Sequence, residues 1–215
     1  MLRRRSTRIV GVLAVAVLAA ACGSDAVQPG AARRACPAVA RTGWQELANR
    51  VDAPVYCPSW LPNPLSGSFA GSSYAGTFVE RDRNYLVSFI ESDVVGSSNT
   101  EVHVNLRGYP GRVTVPLCED TVTIGTKVLR PRIRCFADVY GHKRVAGKAI
   151  TITTANQGAD KWHVAYLWRH GGSLYVVSEH VTPPYTFRQV LRNLDRVVGS
   201  LVLVRPTQAG NATGT

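Results

Sequence analysis

The stretch WHVAYLWRHGGSLYVVSEHV, residues 162–181, decides the fold of this chain. Two runs rich in β-branched and aromatic residues flank His170-Gly171-Gly172, where the glycines take the positive φ that a tight turn needs. Residues 162–169 and 173–181 are therefore predicted to form an antiparallel hairpin. Short alternating runs separated by glycine-rich turns fill residues 67–181, and this pattern is typical of an antiparallel sheet.

Further strands are predicted over residues 85–90, 101–107, 112–115, about 132–139 and 149–154. In residues 101–107 the apolar side chains alternate with polar ones, so this strand covers a core on one side only.

Two capping signatures predict helices on either side of these strands. Thr42 followed by Gln45 opens a short helix that ends by Asp52, and Thr186 followed by Gln189 opens a longer C-terminal helix with a broad apolar face. Prolines within residues 53–65 predict a rigid, irregular strap. We therefore expect an α+β fold, in which an antiparallel sheet of about six to eight strands is packed by the C-terminal helix, with a short N-terminal helix.

Residues 1–21 have the features of a signal peptide. Four arginines precede a run of 13 apolar residues, too short for a membrane span of about 20, and small residues precede Cys22. This pattern resembles the lipobox of bacterial lipoproteins, in which the cysteine becomes the N-terminus and its thiol carries diacylglycerol. That family usually has leucine at the position of Ala19, so ordinary cleavage after Ala21 stays an alternative. Either route predicts export.

After the signal peptide we expect a flexible tether over residues 22–35, a single globular domain over 36–204 and a disordered tail over 205–215. Without the signal peptide, 21 basic residues face 14 acidic ones, a formal charge of +7. A basic exported protein meets anionic lipid or wall polymers rather than nucleic acid. The alternative is that this charge serves solubility alone.

The five cysteines are an odd number, which lipidation of Cys22 explains. The remaining four allow three disulfide connectivities, and we favour Cys36–Cys57 with Cys118–Cys135 because each closes a short loop. Their spacing is unlike that of a structural zinc site.

Arg130, Arg132 and Arg134 alternate, so in an extended segment they share one face, with Asp138 as the one local acid. Guanidinium groups suit phosphate, which makes these arginines a candidate anion-binding patch. The alternative is a solvated strand edge, where cations prevent edge-to-edge pairing.

Three of the five histidines lie on predicted strands, where a shared face would bring their imidazoles together. Their spacing matches no metal motif, so we expect no metal site and no cofactor. Glu179 and His180 are strand neighbours that point to opposite faces and cannot form a catalytic dyad. The chain also lacks the Gly-x-Ser-x-Gly elbow of hydrolases, so no catalytic residue is assigned.

The segments PSWLP (58–62), WRHGGSLYVVS (168–178) and GSLV (199–202) resemble extracytoplasmic lipoprotein domains of high-GC Gram-positive bacteria. The resemblance implies the fold and a location on the outer face of the cell membrane, without catalytic residues. We expect a non-catalytic binding module for anionic lipid, wall polymer or another envelope protein. Alternatives are a carrier that holds an apolar ligand between helix and sheet, lined by tryptophans and tyrosines, and a hydrolase.

Overall fold

A seven-stranded antiparallel sheet forms the centre of the computed structural model, which describes residues 35–65, 74–91, 101–155 and 162–207. The helices are α1 (Ala38–Val51) and α2 (Phe187–Ser200). The strands are β1 (Val55–Pro58), β2 (Tyr74–Val79), β3 (Tyr85–Ile90), β4 (His103–Tyr109), β5 (Leu117–Glu119), β6 (Val122–Ile124), β7 (Lys127–Leu129), β8 (Arg132–Arg134), β9 (Asp138–Val145), β10 (Lys148–Ala155), β11 (His163–His170), β12 (Ser173–His180) and β13 (Leu201–Val204).

The strands of the large sheet run in the order β2-β3-β4-β12-β11-β10-β9. This architecture confirms the predicted α+β class, the number of strands and the two helices that accompany them. The predicted signal peptide, Cys22 and most of the tether and tail lie outside the described residues.

The predicted hairpin is present as β11 and β12, paired from His163 opposite His180 to His170 opposite Ser173. Gly171 and Gly172 form its two-residue turn with φ of 55° and 75°, values that side chains with a Cβ rarely adopt. All eight residues of β12 are buried, because both faces of the hairpin are covered.

The face toward the helices carries the main core. Val190, Leu194, Val197 and Val198 of α2 are fully buried against it, together with residues of α1 and β1. The opposite face carries a smaller apolar cluster around Leu167, and its members are Tyr109, Cys135, Phe136, Ala155, Ala165, Leu167, Leu174 and Val176. Alternation along β11 and β12 sends consecutive side chains into these two cores.

The start of α2 is as predicted, with a capping box in which Thr186 and Gln189 each bind the other's backbone. The predicted start of α1 at Thr42 was wrong. The helix begins at Ala38, after Pro37, and Thr42 lies in its interior. Pro37 is the N-cap residue, with φ −50° and a non-helical ψ of 137°, and its carbonyl accepts a hydrogen bond of 3.0 Å from the Ala40 amide. The helix ends at Val51 with Asp52 as its C-cap, which agrees with the predicted end by Asp52. Neither described helix has the length and apolar character that crossing a membrane requires.

Several strand predictions need correction. Residues 112–115 are not a strand, and the predicted strand over 132–139 is two strands, β8 and β9, separated by Phe136 with a φ of 53°. The strap contains a strand, β1, which pairs antiparallel with β13. Pro58 is tolerated because β1 belongs to a two-stranded sheet and is therefore an edge strand.

Both favoured disulfides are confirmed. Cys36–Cys57 joins the start of α1 to β1, and Cys118–Cys135 joins β5 to the residue after β8. The first disulfide lies in the main core, where both cysteines are buried.

The Cys36→Ala/Cys57→Ala variant should lower the free energy of unfolding by about 3 kcal/mol, because the closed loop no longer restricts the unfolded chain. Urea unfolding of the variant and of the oxidised and reduced parent measures this loss. Equal midpoints for the variant and the oxidised parent would show that the disulfide does not stabilise the domain.

Candidate functional site

A two-stranded arm, residues 116–135, leaves the large sheet between β4 and β9. Its strands β5 and β8 pair near the base, and β6 and β7 pair near the turn at Gly125, with the same register in both parts. Hydrogen bonds from the Asp120 amide to the Pro131 carbonyl and from the Cys135 amide to the Pro116 carbonyl, both 2.9 Å, continue the pairing. The disulfide Cys118–Cys135 fixes the base of the arm.

The candidate arginines lie along this arm. Arg132 and Arg134 alternate on β8 and pair with Glu119 and Leu117, so they share one face of the ribbon. The Arg130 guanidinium reaches the same Glu119, with Nη1 3.6 Å from Oε1. All three arginines are exposed.

The acid near these arginines differs from the expected one. Asp138 lies on β9, whereas Glu119 is the carboxylate in contact with the patch. Glu119 was not among the predicted residues because the pairing of β5 with β8 was not predicted. An exposed pair of this kind contributes little stability, so Arg130 can exchange Glu119 for another anion.

The apolar end of the arm was not predicted from the sequence either. Ile124 is 64% exposed and Val128 is 56% exposed, and Val122 is exposed as well. Grouped aliphatic side chains exposed to solvent are typical of surfaces that contact a protein, a membrane or a ligand. The arm therefore combines an apolar tip with a cationic shaft.

Three histidines meet on the face of the sheet away from α2. His163 and His180 are paired across β11 and β12, and His103 lies on the next strand, β4. Their ring centroids are 4.3 Å (His103–His163), 4.7 Å (His103–His180) and 5.2 Å (His163–His180) apart. The three imidazoles therefore lie together on one face of the sheet, as expected for histidines on neighbouring strands.

The surroundings of this cluster orient its rings. Nδ1 of His180 lies 2.9 Å from the backbone carbonyl of Glu101, and Nδ1 of His103 lies 3.6 Å from the Glu101 carboxylate. Within the described ranges, no group of three His, Cys, Asp or Glu side chains is arranged to hold a metal ion. His142 and His170 lie elsewhere, near Thr151 and Tyr56 respectively.

A cavity of about 420 Å³ opens beside His163 and His180. Trp162 and Phe187 provide aromatic walls, and Trp162, 55% exposed, has a φ of 61° that is unusual for a bulky residue. The combination of polar and aromatic walls suits a small ligand with both kinds of surface.

Away from Phe187, where the cavity meets the first residue of α2, the space between α2 and the sheet is filled by buried side chains. Trp168 is buried there, with its ring centroid 5.4 Å from that of Tyr56 and 5.7 Å from that of Tyr175. Trp60 lies under the Arg196 guanidinium at 4.2 Å. Trp168 thus belongs to the core, and Trp162 is the exposed one among these tryptophans.

A buried carboxyl lies on the helix side of β12. Glu179 is fully buried, and Asn193 of α2 donates a hydrogen bond of 2.7 Å to its Oε1, whereas Oε2 is buried without a hydrogen-bond partner in the described part of the chain. Burial raises the pKa of this carboxyl from 4.5 to about 8, against the lowering effect of Asn193. His180 points to the other face, so the two do not form a dyad.

Glu179 should make stability depend on pH. The folded state binds its proton more tightly than the unfolded chain, so the free energy of unfolding falls as pH rises from about 4.5 to about 8. Glu179→Gln keeps the oxygen that accepts from Asn193 and removes the titration. Urea unfolding at a series of pH values should show the variant more stable than the parent by up to about 3 kcal/mol near neutrality, with the difference vanishing in acid.

Glu46→Gln, a change at an exposed position of α1, is the matched control and should keep the pH dependence of the parent. If Glu179→Gln shows the same slope as the parent, the loss of stability arises from another group.

Comparisons of this chain with protein-family models, with curated proteins and with solved structures found no match. Two surfaces of the domain are therefore the candidates for a functional site. One is the arm with its arginines and apolar tip, and the other is the cavity beside the histidine cluster.

Proposed function

We propose that this protein is a lipid-anchored binding module on the outer face of the cell membrane, without catalytic activity. Its arm contacts anionic components of the envelope. The observation that carries this proposal is the row Arg130, Arg132 and Arg134, held exposed on a disulfide-braced ribbon.

The location is supported by the sequence and by the cysteines. The signal-like segment and Cys22 fit export followed by lipidation. Two disulfides fit an oxidising compartment, since cytosolic reductants keep thiols reduced.

The chemistry of the arm supports binding. Guanidinium groups donate paired hydrogen bonds to phosphate or carboxylate oxygens, and each basic residue near an anionic membrane contributes about 1 kcal/mol. A rigid ribbon presents these groups together. A binding module of this kind requires no nucleophile, general base or cofactor.

An apolar-ligand carrier is the second candidate, favoured by the cavity of about 420 Å³ beside Trp162 and Phe187. It has less support, because the buried side chains of α2 and Trp168 occupy the space where such a ligand was expected.

Cys22→Ala should move the protein from the membrane fraction to the medium or wall fraction and abolish labelling by a palmitate analogue. In a lipoprotein the lipid is attached to this thiol, so no other residue of the chain can take over its role. Cell fractionation and metabolic labelling measure both effects, with Cys22→Ser as a second variant. Continued acyl labelling of either variant would refute lipidation at this position.

Replacing Arg130, Arg132 and Arg134 together with glutamine should weaken binding to anionic vesicles or anionic wall polymer roughly tenfold to a hundredfold. Binding of the parent should also weaken as salt is added, because ions screen exposed charges. Co-sedimentation of the unlipidated protein measures both, and the fold should persist because exposed charges contribute little stability.

The matched control replaces three exposed arginines of the two helices, Arg41, Arg50 and Arg192, with glutamine. It lowers the net charge equally but leaves the arm unchanged, so binding should fall much less. Equal losses in the two triple variants would assign binding to net charge alone, and a parent that never binds at low salt would remove the arm from the proposal.

A further inference from the structure

We propose that the partner of the arm is the anionic lipid bilayer, and that the tip, residues 122–129, inserts its aliphatic side chains at the depth of the headgroup and acyl boundary. This inference rests on the proposed function and names the partner of the same site. It is carried by the arrangement of apolar and cationic side chains along the ribbon.

Aliphatic side chains appear on both faces of the tip. Val122 and Ile124 lie on one face with Leu129 and Lys127, their partners across β6 and β7, and Val128 lies on the other face opposite Thr123. Paired residues of antiparallel strands share a face, and neighbours along a strand alternate.

This distribution favours a fluid partner over a protein surface. A protein groove or a second sheet covers one face of a ribbon, and the aliphatic side chains of the other face would stay in water. A bilayer surrounds an inserted tip and removes both faces from water together. The occupant that matches the tip is therefore lipid.

The charges behind the tip match the headgroup region of the same bilayer. Lys127 begins β7 and Arg130 follows three residues later, about 10 Å along an extended strand. With the tip at the acyl boundary, Arg130 lies at the level of lipid phosphates. Arg132 follows about 7 Å further along the strand, within the reach of the surface potential, which extends about one Debye length, roughly 10 Å, and Arg134 follows at about 13 Å, just beyond it.

The backbone of the arm limits the depth of insertion. β6 and β7 form a two-stranded sheet, so along one edge of each strand the amide and carbonyl groups bind no other strand of the described residues. Such groups are costly in the hydrocarbon interior but are hydrated at the interface. Insertion at interfacial depth, about 5–10 Å, meets both requirements.

A lipid on Cys22 would hold the domain near the membrane. If Cys22 carries the lipid, 13 residues separate it from Cys36. That length reaches about 45 Å when fully extended, which keeps the domain close to the bilayer and raises the effective concentration of the arm there.

The test uses the chain from Gly23 to Thr215, which contains every described helix and strand and both disulfides. The variant Ile124→Thr/Val128→Thr keeps β-branched side chains in the strands and removes aliphatic surface. Co-sedimentation with vesicles of phosphatidylcholine and phosphatidylglycerol should show binding weakened roughly tenfold or more, because two aliphatic side chains no longer leave water. Val39→Thr, a change at an exposed position of α1, should bind like the parent.

A second measurement reports insertion directly. Ile124→Trp places an indole at the tip, and lipids with brominated acyl chains should quench its fluorescence and shift its emission to the blue. Val39→Trp is the matched control and should show neither effect beyond the background of the four native tryptophans. Absence of quenching at Ile124→Trp in vesicle-bound protein would overturn insertion.

Binding to a soluble anionic wall polymer distinguishes insertion of the tip from electrostatic contact through the arginines. Tip variants should bind the polymer like the parent, whereas the arginine triple variant should lose binding to both polymer and vesicles. If the tip variants retain vesicle affinity while the arginine variant loses it, the arm is an electrostatic contact and insertion is wrong. If neither set of variants changes binding, the proposed function itself fails.

Discussion

The burial of the β11–β12 hairpin on both faces is the constraint on which the rest of the structure depends. Every residue of β12 and six of the eight residues of β11 are buried, so each face needs a cover. The helices and β1 cover one face. Cys135 and Phe136, at the base of the arm, belong to the apolar cluster on the other face. The arm is therefore anchored as part of the core at one end, and its far end remains free of that packing.

The same hairpin changes character along its length. Near the turn at Gly171, its side chains are mostly large and apolar and fill the two cores. At the opposite end, His163, Glu179 and His180 are buried, and the cavity with Trp162 opens beside them. A buried carboxyl with a raised pKa beside a cavity makes this end of the hairpin the part of the sheet where a functional site is expected.

The sequence predicted features that depend on neighbours in the chain. The capping box of Thr186 and Gln189, the glycine turn and the short disulfide loops are all local signals. The pairing of the arm was not predicted, although β8 lies within a predicted strand, because strands of three residues are too short for alternation to indicate which segments pair. The histidine cluster depends on the register of three strands, and the burial of Glu179 depends on where α2 places Asn193. Neither relation can be obtained from periodicity within one segment.

The position of Cys36–Cys57 gives the domain a mechanical property. Any pull transmitted through the preceding segment arrives first at Cys36, and the disulfide passes that force directly to β1. The backbone between the two cysteines, including α1, is bypassed and bears little tension. Because β1 pairs antiparallel with β13, the load then reaches the last strand of the domain across a ladder of backbone hydrogen bonds. The covalent link thus protects the N-terminal helix from unravelling when the protein is held at one end.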